Sequence, residues 1–190
     1  MKLSPRYEAA LVMAAQLHAS QIRKGSRVPY VSHLLAVSSL VIESGGTEDQ
    51  AIAGLLHDAV EDQGGLETLE RIRCHFGSGV ADIVDHCTDA HEEPKPDWRP
   101  RKEKYIAEIA DMPASAALVS CADKLHNARA ILADLREVGD ELWGRFTGKK
   151  DGTLWYYRSL VDAFDNVFAG RLTDELRRTV EEIEKFANTR

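Results

Sequence analysis

The chain has 190 residues, 44% of them hydrophobic and 29% charged, with a formal net charge of −7. That length supports one domain with a substantial core and falls short of two ordinary ones, and the composition is that of a soluble globular protein. The acidic balance argues against a broad nucleic-acid surface, and no run approaches the ~20 apolar residues of a membrane span. Met1-Lys2-Leu3-Ser4-Pro5 has no apolar stretch behind it to make a signal peptide. Cys74, Cys87 and Cys121 are an odd set without a C-x-x-C pair. They exclude a zinc ribbon and point to a reducing, cytoplasmic compartment, with Cys87 and Cys121 packed as small hydrophobes.

Ser4 and Pro5 read as cap and first residue of a helix reaching about Ile22, with Ala9, Val12, Met13 and Leu17 on its apolar face. His18 and Gln21 follow on it, and His18 fits a buried, hydrogen-bonded histidine better than a ligand. Arg23-Lys24-Gly25-Ser26-Arg27-Val28-Pro29-Tyr30 is a loop by its glycine and proline. Its three cations stand out in an acidic protein. They are either a solvated turn that complements the helix C-terminus or a clamp for an anion.

His33 precedes an apolar helix from Leu34 to about Glu43, ended by Gly45-Gly46. Thr47-Glu48-Asp49-Gln50 is a capping box that starts a helix running from Glu48 to about Asp62. The end of that helix, Leu55-Leu56-His57-Asp58-Ala59-Val60-Glu61-Asp62, passes from apolar to ionisable. Residues four apart share a helix face, which pairs His57 with Glu61 and Asp58 with Asp62. Carboxylates and an imidazole this close repel one another unless a cation or protons neutralise them. The other reading is a solvated acidic helix end before Gly64-Gly65.

Leu66 to about Phe76 is amphipathic, and Gly77-Ser78-Gly79 leads into a helix from Val80 to Cys87. Thr88 to Pro100 is proline-rich and long for an idle connection, which suggests a lid or a substrate-facing loop. Arg99, Arg101, Lys102 and Lys104 gather at its end. Lys102 to Ala110 is helical, and Pro113 opens a helix whose run from Ala114 to Val119 is apolar all round and therefore buried. Asp123 emerges from that core, where an unpaired carboxylate is costly, so it requires either a hydrogen-bonded network or a metal. Asn127 shares its face at i, i+4. Two more helices follow, from about Thr153 to Phe168 and from a cap at Thr173 to about Phe186. The adjacent Tyr156 and Tyr157 cannot both point the same way, which leaves one of them to face a pocket. With no repeat and no strand pattern, the expected fold is all-α, a single compact multi-helix domain over residues 1–190.

His33, His57, Asp58 and Asp123 each lie at the end or edge of an apolar helix. Two imidazoles and two carboxylates suit Mn²⁺, Fe²⁺ or Zn²⁺, and the absence of a thiolate suits a catalytic site with open positions. The order His33, His57-Asp58, Asp123 resembles the HD metal-dependent phosphohydrolase pattern. More closely, the chain is similar to the hydrolase domain of the Rel/SpoT enzymes, which degrade the guanosine alarmones (p)ppGpp, and in its length to the small alarmone hydrolases. The resemblance rests on Arg23-Lys24-Gly25 through Pro29-Tyr30-Val31-Ser32-His33, on His57-Asp58-Ala59-Val60-Glu61-Asp62, on His75-Phe76-Gly77 and on Ala122-Asp123-Lys124-Leu125-His126-Asn127-Ala128-Arg129. These motifs span about residues 15–135, and Leu154-Trp155-Tyr156-Tyr157-Arg158 looks like the C-terminal part of stand-alone bacterial members.

The resemblance implies an HD-domain fold in which His33, His57, Asp58 and Asp123 hold a Mn²⁺, with C-terminal helices over 153–188 completing the pocket. Glu61 and Asp62 would orient and deprotonate the attacking water. Arg23 and Lys24 would hold the nucleotide, with Arg23 able to stack on the base, and Asn127 and Tyr156 would contact ribose or base. The implied reaction is hydrolysis of the 3′-pyrophosphate to GDP or GTP and pyrophosphate, on a small-molecule nucleotide rather than at a nucleic acid or a membrane. A chain of this length has no room for a synthetase domain, which implies degradation only. Leu34 departs from the proline usual after the histidine in the long enzymes. Two competing readings share the same residues. One is an HD nucleotidase or phosphatase acting on a dNTP or on the 2′-phosphate of NADPH. The other is a non-catalytic nucleotide sensor, against which the intact ligands with Glu61 and Asp62 argue.

Overall fold

The computed structural model describes residues 2–89 and 96–189. Among them, ten α-helices follow one another: α1 (Pro5–Leu17), α2 (Val31–Glu43), α3 (Glu48–Leu56), α4 (Ala59–Asp62), α5 (Gly65–Phe76), α6 (Ser78–Cys87), α7 (Trp98–Glu108), α8 (Ala114–Val138), α9 (Lys149–Val167) and α10 (Arg171–Asn188). Short 3-10 turns at Ile109–Asp111 and Gly139–Arg145 flank α8, and an isolated bridge between Ile22 and Pro29 is the β structure among the described residues. The all-α expectation holds. No helix of the described residues is long and apolar enough to cross a membrane.

Local chemistry sets the helix starts. Ser4 accepts the Arg6 N–H at the head of α1. At α3, Thr47 Oγ1 accepts the Gln50 N–H and Gln50 Oε1 accepts the Thr47 N–H, the reciprocal capping box read from the sequence. Each such cap contributes about 1 kcal/mol. The long α8 is the axis of the molecule, packed against α2, α3, α6, α9 and α10. Its first half is buried on every side, from Ala116 through Asp123. Leu34, Leu55, Leu56 and Leu125 are fully buried around it, each worth roughly 1.5–3 kcal/mol.

Helix α2 packs closely on α3 and sets His33 beside His57, with their ring centres 5.1 Å apart. Gly54 makes that approach possible: a Cβ there would meet Ser38 Cα at 3.1 Å. Ser38 Oγ donates to the Ala51 carbonyl at 2.8 Å and lies 2.8 Å from the Tyr7 hydroxyl, tying α1, α2 and α3 together.

The boundaries differ from expectation where side chains or turns compete for backbone groups. The first helix stops at Leu17, not near Ile22, and His18 and Gln21 lie beyond it. There the Arg23 N–H goes to the Val28 carbonyl and the Tyr30 N–H to the Gln21 carbonyl, closing the basic loop on itself. The second helix begins at Val31, so His33 sits within its first turn rather than ahead of it. The helix expected to run through Asp62 is interrupted at His57-Asp58, between α3 and α4. The Gly54 carbonyl accepts the His57 Nδ1–H at 2.9 Å, the acceptor that a continuing helix would offer to the Asp58 N–H. Thr173 is not the cap of the last helix but its third residue, with its hydroxyl bonded to Gly170 N and O. The seventh helix starts at Trp98, earlier than Lys102, and residues 90–95 of the expected lid lie outside the described residues. All three cysteines are free, with Cys87 and Cys121 buried as expected.

Candidate active site

Four side chains from three parts of the chain converge against α8. His33 comes from the first turn of α2, His57 and Asp58 from the interruption between α3 and α4, and Asp123 from the middle of α8. His33 Nε2 lies 3.4 Å from Asp58 Oδ2 and 3.1 Å from Asp123 Oδ1. His57 Nε2 lies 2.9 Å and 3.6 Å from the same two oxygens. Donors about 2.1 Å from a common ion stand about 3.0–3.4 Å apart in octahedral or tetrahedral geometry. Both Nε2 atoms are buried and neither has a hydrogen-bond partner. An orphaned pair of imidazole nitrogens beside the Asp58 carboxylate fits a divalent cation: donor atoms of His33, His57 and Asp58 all lie within 4.8 Å of one another, and Asp123 Oδ1 stands next to the two histidines.

The electrostatics agree with that fit. Burial penalises the charge on Asp58, yet His57 and His33 outweigh it and hold the carboxyl well below the usual range. Burial likewise opposes the Asp123 charge, and Lys124 with the two histidines reverses the effect. Burial pushes His57 down, but Asp58 and Asp123 together raise it well above an ordinary histidine. A buried carboxylate and a partly buried one beside it demand positive charge, and a metal ion supplies it while leaving the imidazoles neutral.

Neighbouring groups fix each side chain of the cluster. Tyr30 donates its hydroxyl to Asp58 Oδ2 at 2.7 Å; burial, then Asp58, raises its pKa, so it stays a phenol. Asp123 accepts from Lys124 Nζ at 2.7 Å and from Asn127 Nδ2 at 2.5 Å. The Asn127 carbonyl in turn accepts from Arg23 at 2.9 Å. His126, on the same turn of α8, places its Nδ1 2.7 Å from His33 Nδ1. Burial, then His33 and Arg23, pushes His126 down to about 4.

Beside this cluster lies a cavity of about 310 Å³ whose lining includes Arg23, Lys24, Lys102, Lys124, Asn127 and Tyr156. All four residues expected to contact a nucleotide from the sequence line it. Tyr157 lines it as well, so both adjacent tyrosines contribute rather than one. The Tyr156 hydroxyl is buried without a partner, and Lys102 Nζ sits 4.9 Å from its ring centre. Of the four cations expected at the end of the 88–100 stretch, Lys102 lines the cavity. Arg99 packs over Trp155, Arg101 pairs with Asp89, and Lys104 pairs with Glu108.

Glu61 and Asp62 occupy α4, one turn past His57 and Asp58. The Asp62 N–H bonds to the Asp58 carbonyl at 3.0 Å, and Asp62 Oδ2 accepts from Gln21 Nε2 at 2.8 Å. Gln21 is itself held by Gln63 and by Nδ1 of His18, which is buried and stacked on Tyr30 and whose Nε2 has no hydrogen-bond partner. Glu61 Oε2 accepts the Asp89 N–H at 3.4 Å, and Asp89 pairs with Lys102 at 2.6 Å. The His75-Phe76-Gly77 motif ends α5, where the Phe76 carbonyl accepts from Arg6 and Gly77 turns the chain at φ +89. Tyr30, Lys124, His126 and Asp89 complete the surroundings of the cluster and were not singled out from the sequence. Three of them lie inside motifs already singled out, but their contacts cross between helices, and no spacing rule encodes that.

Residues 10–153 match the family model described as HD domain. A Xenopus tropicalis guanosine-3′,5′-bis(diphosphate) 3′-pyrophosphohydrolase, MESH1, is 38% identical over 144 residues, covering 72% of this chain and 75% of that protein. The human MESH1 is 35% identical over 133 residues, covering 68% and 69%. A solved structure of a metazoan SpoT orthologue that hydrolyses ppGpp superposes with a TM-score of 0.80 at 27% identity, over 95% of this chain and 97% of that one.

Proposed function

The chain belongs to the HD-domain family, in its Rel/SpoT-type hydrolase branch, and on that premise we propose that it hydrolyses the 3′-pyrophosphate of (p)ppGpp, giving GDP or GTP and pyrophosphate. One observation carries the reading. Tyr30, Lys124 and Asn127 each touch a carboxylate of the His33–His57–Asp58–Asp123 cluster and also line the cationic cavity, so metal centre and anion pocket are a single site.

We assign the ligand role to His33, His57, Asp58 and Asp123, and Mn²⁺ as the cation, with Fe²⁺ and Zn²⁺ served by the same donor types. When bound, the cation supplies Lewis-acid activation of water and neutralises charge on phosphate. Asp62, steadied by Gln21, takes the proton from the attacking water, and Glu61 orients that water. The water oxygen bonds to the phosphorus carried on the 3′ oxygen, the bond from that phosphorus to the 3′ oxygen breaks, and the proton ends on the 3′ oxygen. Lys102 and Lys124 face the negative charge of the phosphates, Lys24 and Arg23 hold the nucleotide, and Asn127 and Tyr156 contact ribose or base. Residues 1–190 act as one hydrolase unit on this reading, supported by Tyr156 and Tyr157 of α9 in the cavity wall and by the packing of α10 on α8 and α9. The three free cysteines support a reducing, cytoplasmic compartment.

The test is a substrate panel. The Mn²⁺-loaded protein is incubated separately with ppGpp, dNTPs and NADPH while pyrophosphate and phosphate are followed. Pyrophosphate from ppGpp is expected. Phosphate from NADPH with no pyrophosphate from ppGpp overturns the substrate assignment.

A further inference from the structure

Each ligand in the cluster is oriented by a partner, and the partners are not equivalent. His57 gives its Nδ1–H to the Gly54 carbonyl at 2.9 Å. A carbonyl can only accept, so the backbone fixes that ring with its Nε2 lone pair toward the centre. Asp58 takes the Tyr30 hydroxyl, and Asp123 takes Lys124 and Asn127. His33 alone relies on a group that could play either part: its Nδ1 faces the Nδ1 of His126 at 2.7 Å.

We propose that His126 is a positioning residue for the metal centre, accepting the His33 Nδ1 proton and so holding His33 in the tautomer whose Nε2 can bind a divalent cation. This rests on the assignment of His33 as a ligand. Only one proton fits between two ring nitrogens at this distance. If His126 carries it, His33 must be protonated on Nε2 to remain a neutral imidazole, and Nε2 is then lost as a donor to metal. If His33 carries it, His126 is protonated on its own Nε2 and both rings are satisfied.

The need for an acceptor at that point comes from burial. His33 is fully inaccessible, so water cannot replace His126. Two carboxylate oxygens stand 3.1 and 3.4 Å from His33 Nε2. Without an acceptor at Nδ1, they draw the proton to Nε2, and the ring becomes a hydrogen-bond donor to the very groups with which it should share an ion. Metal-bound histidines ordinarily give their second N–H to a carboxylate, a carbonyl or water. Here a histidine on α8 does this, three residues after the ligand Asp123. One helix thus carries one ligand and sets the proton of another.

The experiment compares divalent-cation affinity, by competition against a fluorescent chelator with Mn²⁺, for the whole protein and its His126→Phe, His126→Asn and His33→Ala variants. Phenylalanine keeps the ring and removes the acceptor; asparagine keeps an acceptor oxygen near the place of Nδ1. His126→Phe should bind about 10–100-fold more weakly, and His126→Asn should recover most of that loss. Wild-type affinity in His126→Phe, or an Asn variant as weak as the Phe one, overturns the proposal. His33→Ala separates it from the ligand assignment. Unchanged affinity in His33→Ala overturns both, whereas lost affinity there with intact affinity in His126→Phe overturns this proposal alone. A readout that needs no variant is nitrogen NMR of ¹⁵N-histidine-labelled wild-type protein loaded with diamagnetic Zn²⁺. Protonated His33 Nδ1 with protonated His126 Nε2 is expected, and a proton on His126 Nδ1 overturns it.

Discussion

Asp58 and Asp62 are the same residue type one helical turn apart, and their surroundings separate them. Asp58 lies between two imidazole nitrogens and under a phenol, held ionised by His57 and His33 against the cost of burial. Asp62 is exposed, and its Oδ2 takes the amide of Gln21. On the proposed reading the first binds the cation and the second accepts the proton of the water. Asp62→Asn should therefore lower turnover by about 10²–10⁴-fold and leave bound metal, measured by elemental analysis, unchanged. Loss of the metal in that variant would make Asp62 a ligand and overturn the division of roles. The four clustered residues were legible because each is a polar residue stranded at the edge of an apolar helix, where burial demands a reason. Tyr30 and His126 were not, because a phenol in a loop and a histidine one residue before Asn127 violate no local rule. Their roles come from which helix happens to face them.

The interruption between α3 and α4 shows how an element can be read correctly and bounded wrongly. The capping box at Thr47 and the apolar run to Leu56 were visible, and so was the i, i+4 pairing beyond. What the periodicity could not convey is that His57 captures its own helix's Gly54 carbonyl, which ends α3 at Leu56. Both residues of the break keep right-handed helical dihedrals, His57 at φ −59 and ψ −31 and Asp58 at φ −95 and ψ −2, so the pattern of faces carries through the loosened turn. The same glycine sets the distance between α3 and α2. Gly54→Ala brings a methyl group to 3.1 Å from Ser38 Cα and 3.3 Å from its backbone nitrogen, with no flexible side-chain end to give way. The helices must part, at a cost of about 1–3 kcal/mol, and His57 moves away from His33 with them. Melting temperature and Mn²⁺ affinity should both fall. Gly144→Ala, with nothing within 4 Å of the new methyl, is the control that should change neither. A Gly54→Ala protein that melts lower yet binds metal as wild type would detach the helix contact from the metal centre.

For the molecule as a whole, the cluster ties together segments as far apart as His33 and Asp123, all set against the central α8. The chain is acidic, at −7, yet Arg23, Lys24, Lys102 and Lys124 gather with one carboxylate, Asp134, in the wall of the cavity beside the cluster, which is where a polyanion needs them. Surface ion pairs such as Arg136–Glu182, between α8 and α10, and Arg171–Glu175, within α10, add little by comparison. Stability should accordingly depend on the cation more than on the surface. An ion held by His33, His57, Asp58 and Asp123 in the folded chain has no equivalent site in the unfolded one, so at 100 times its dissociation constant it stabilises by about 2.7 kcal/mol. For a chain of this size that corresponds to a melting temperature raised by about 5–10 °C. Calorimetry of the wild-type protein with saturating Mn²⁺ and after chelation should show that interval. His57→Ala, which removes one ligand while leaving the cation-lined cavity in place, should show none. An equal shift in both proteins would mean that the stabilising ion sits elsewhere, and the four-residue assignment would have to be given up.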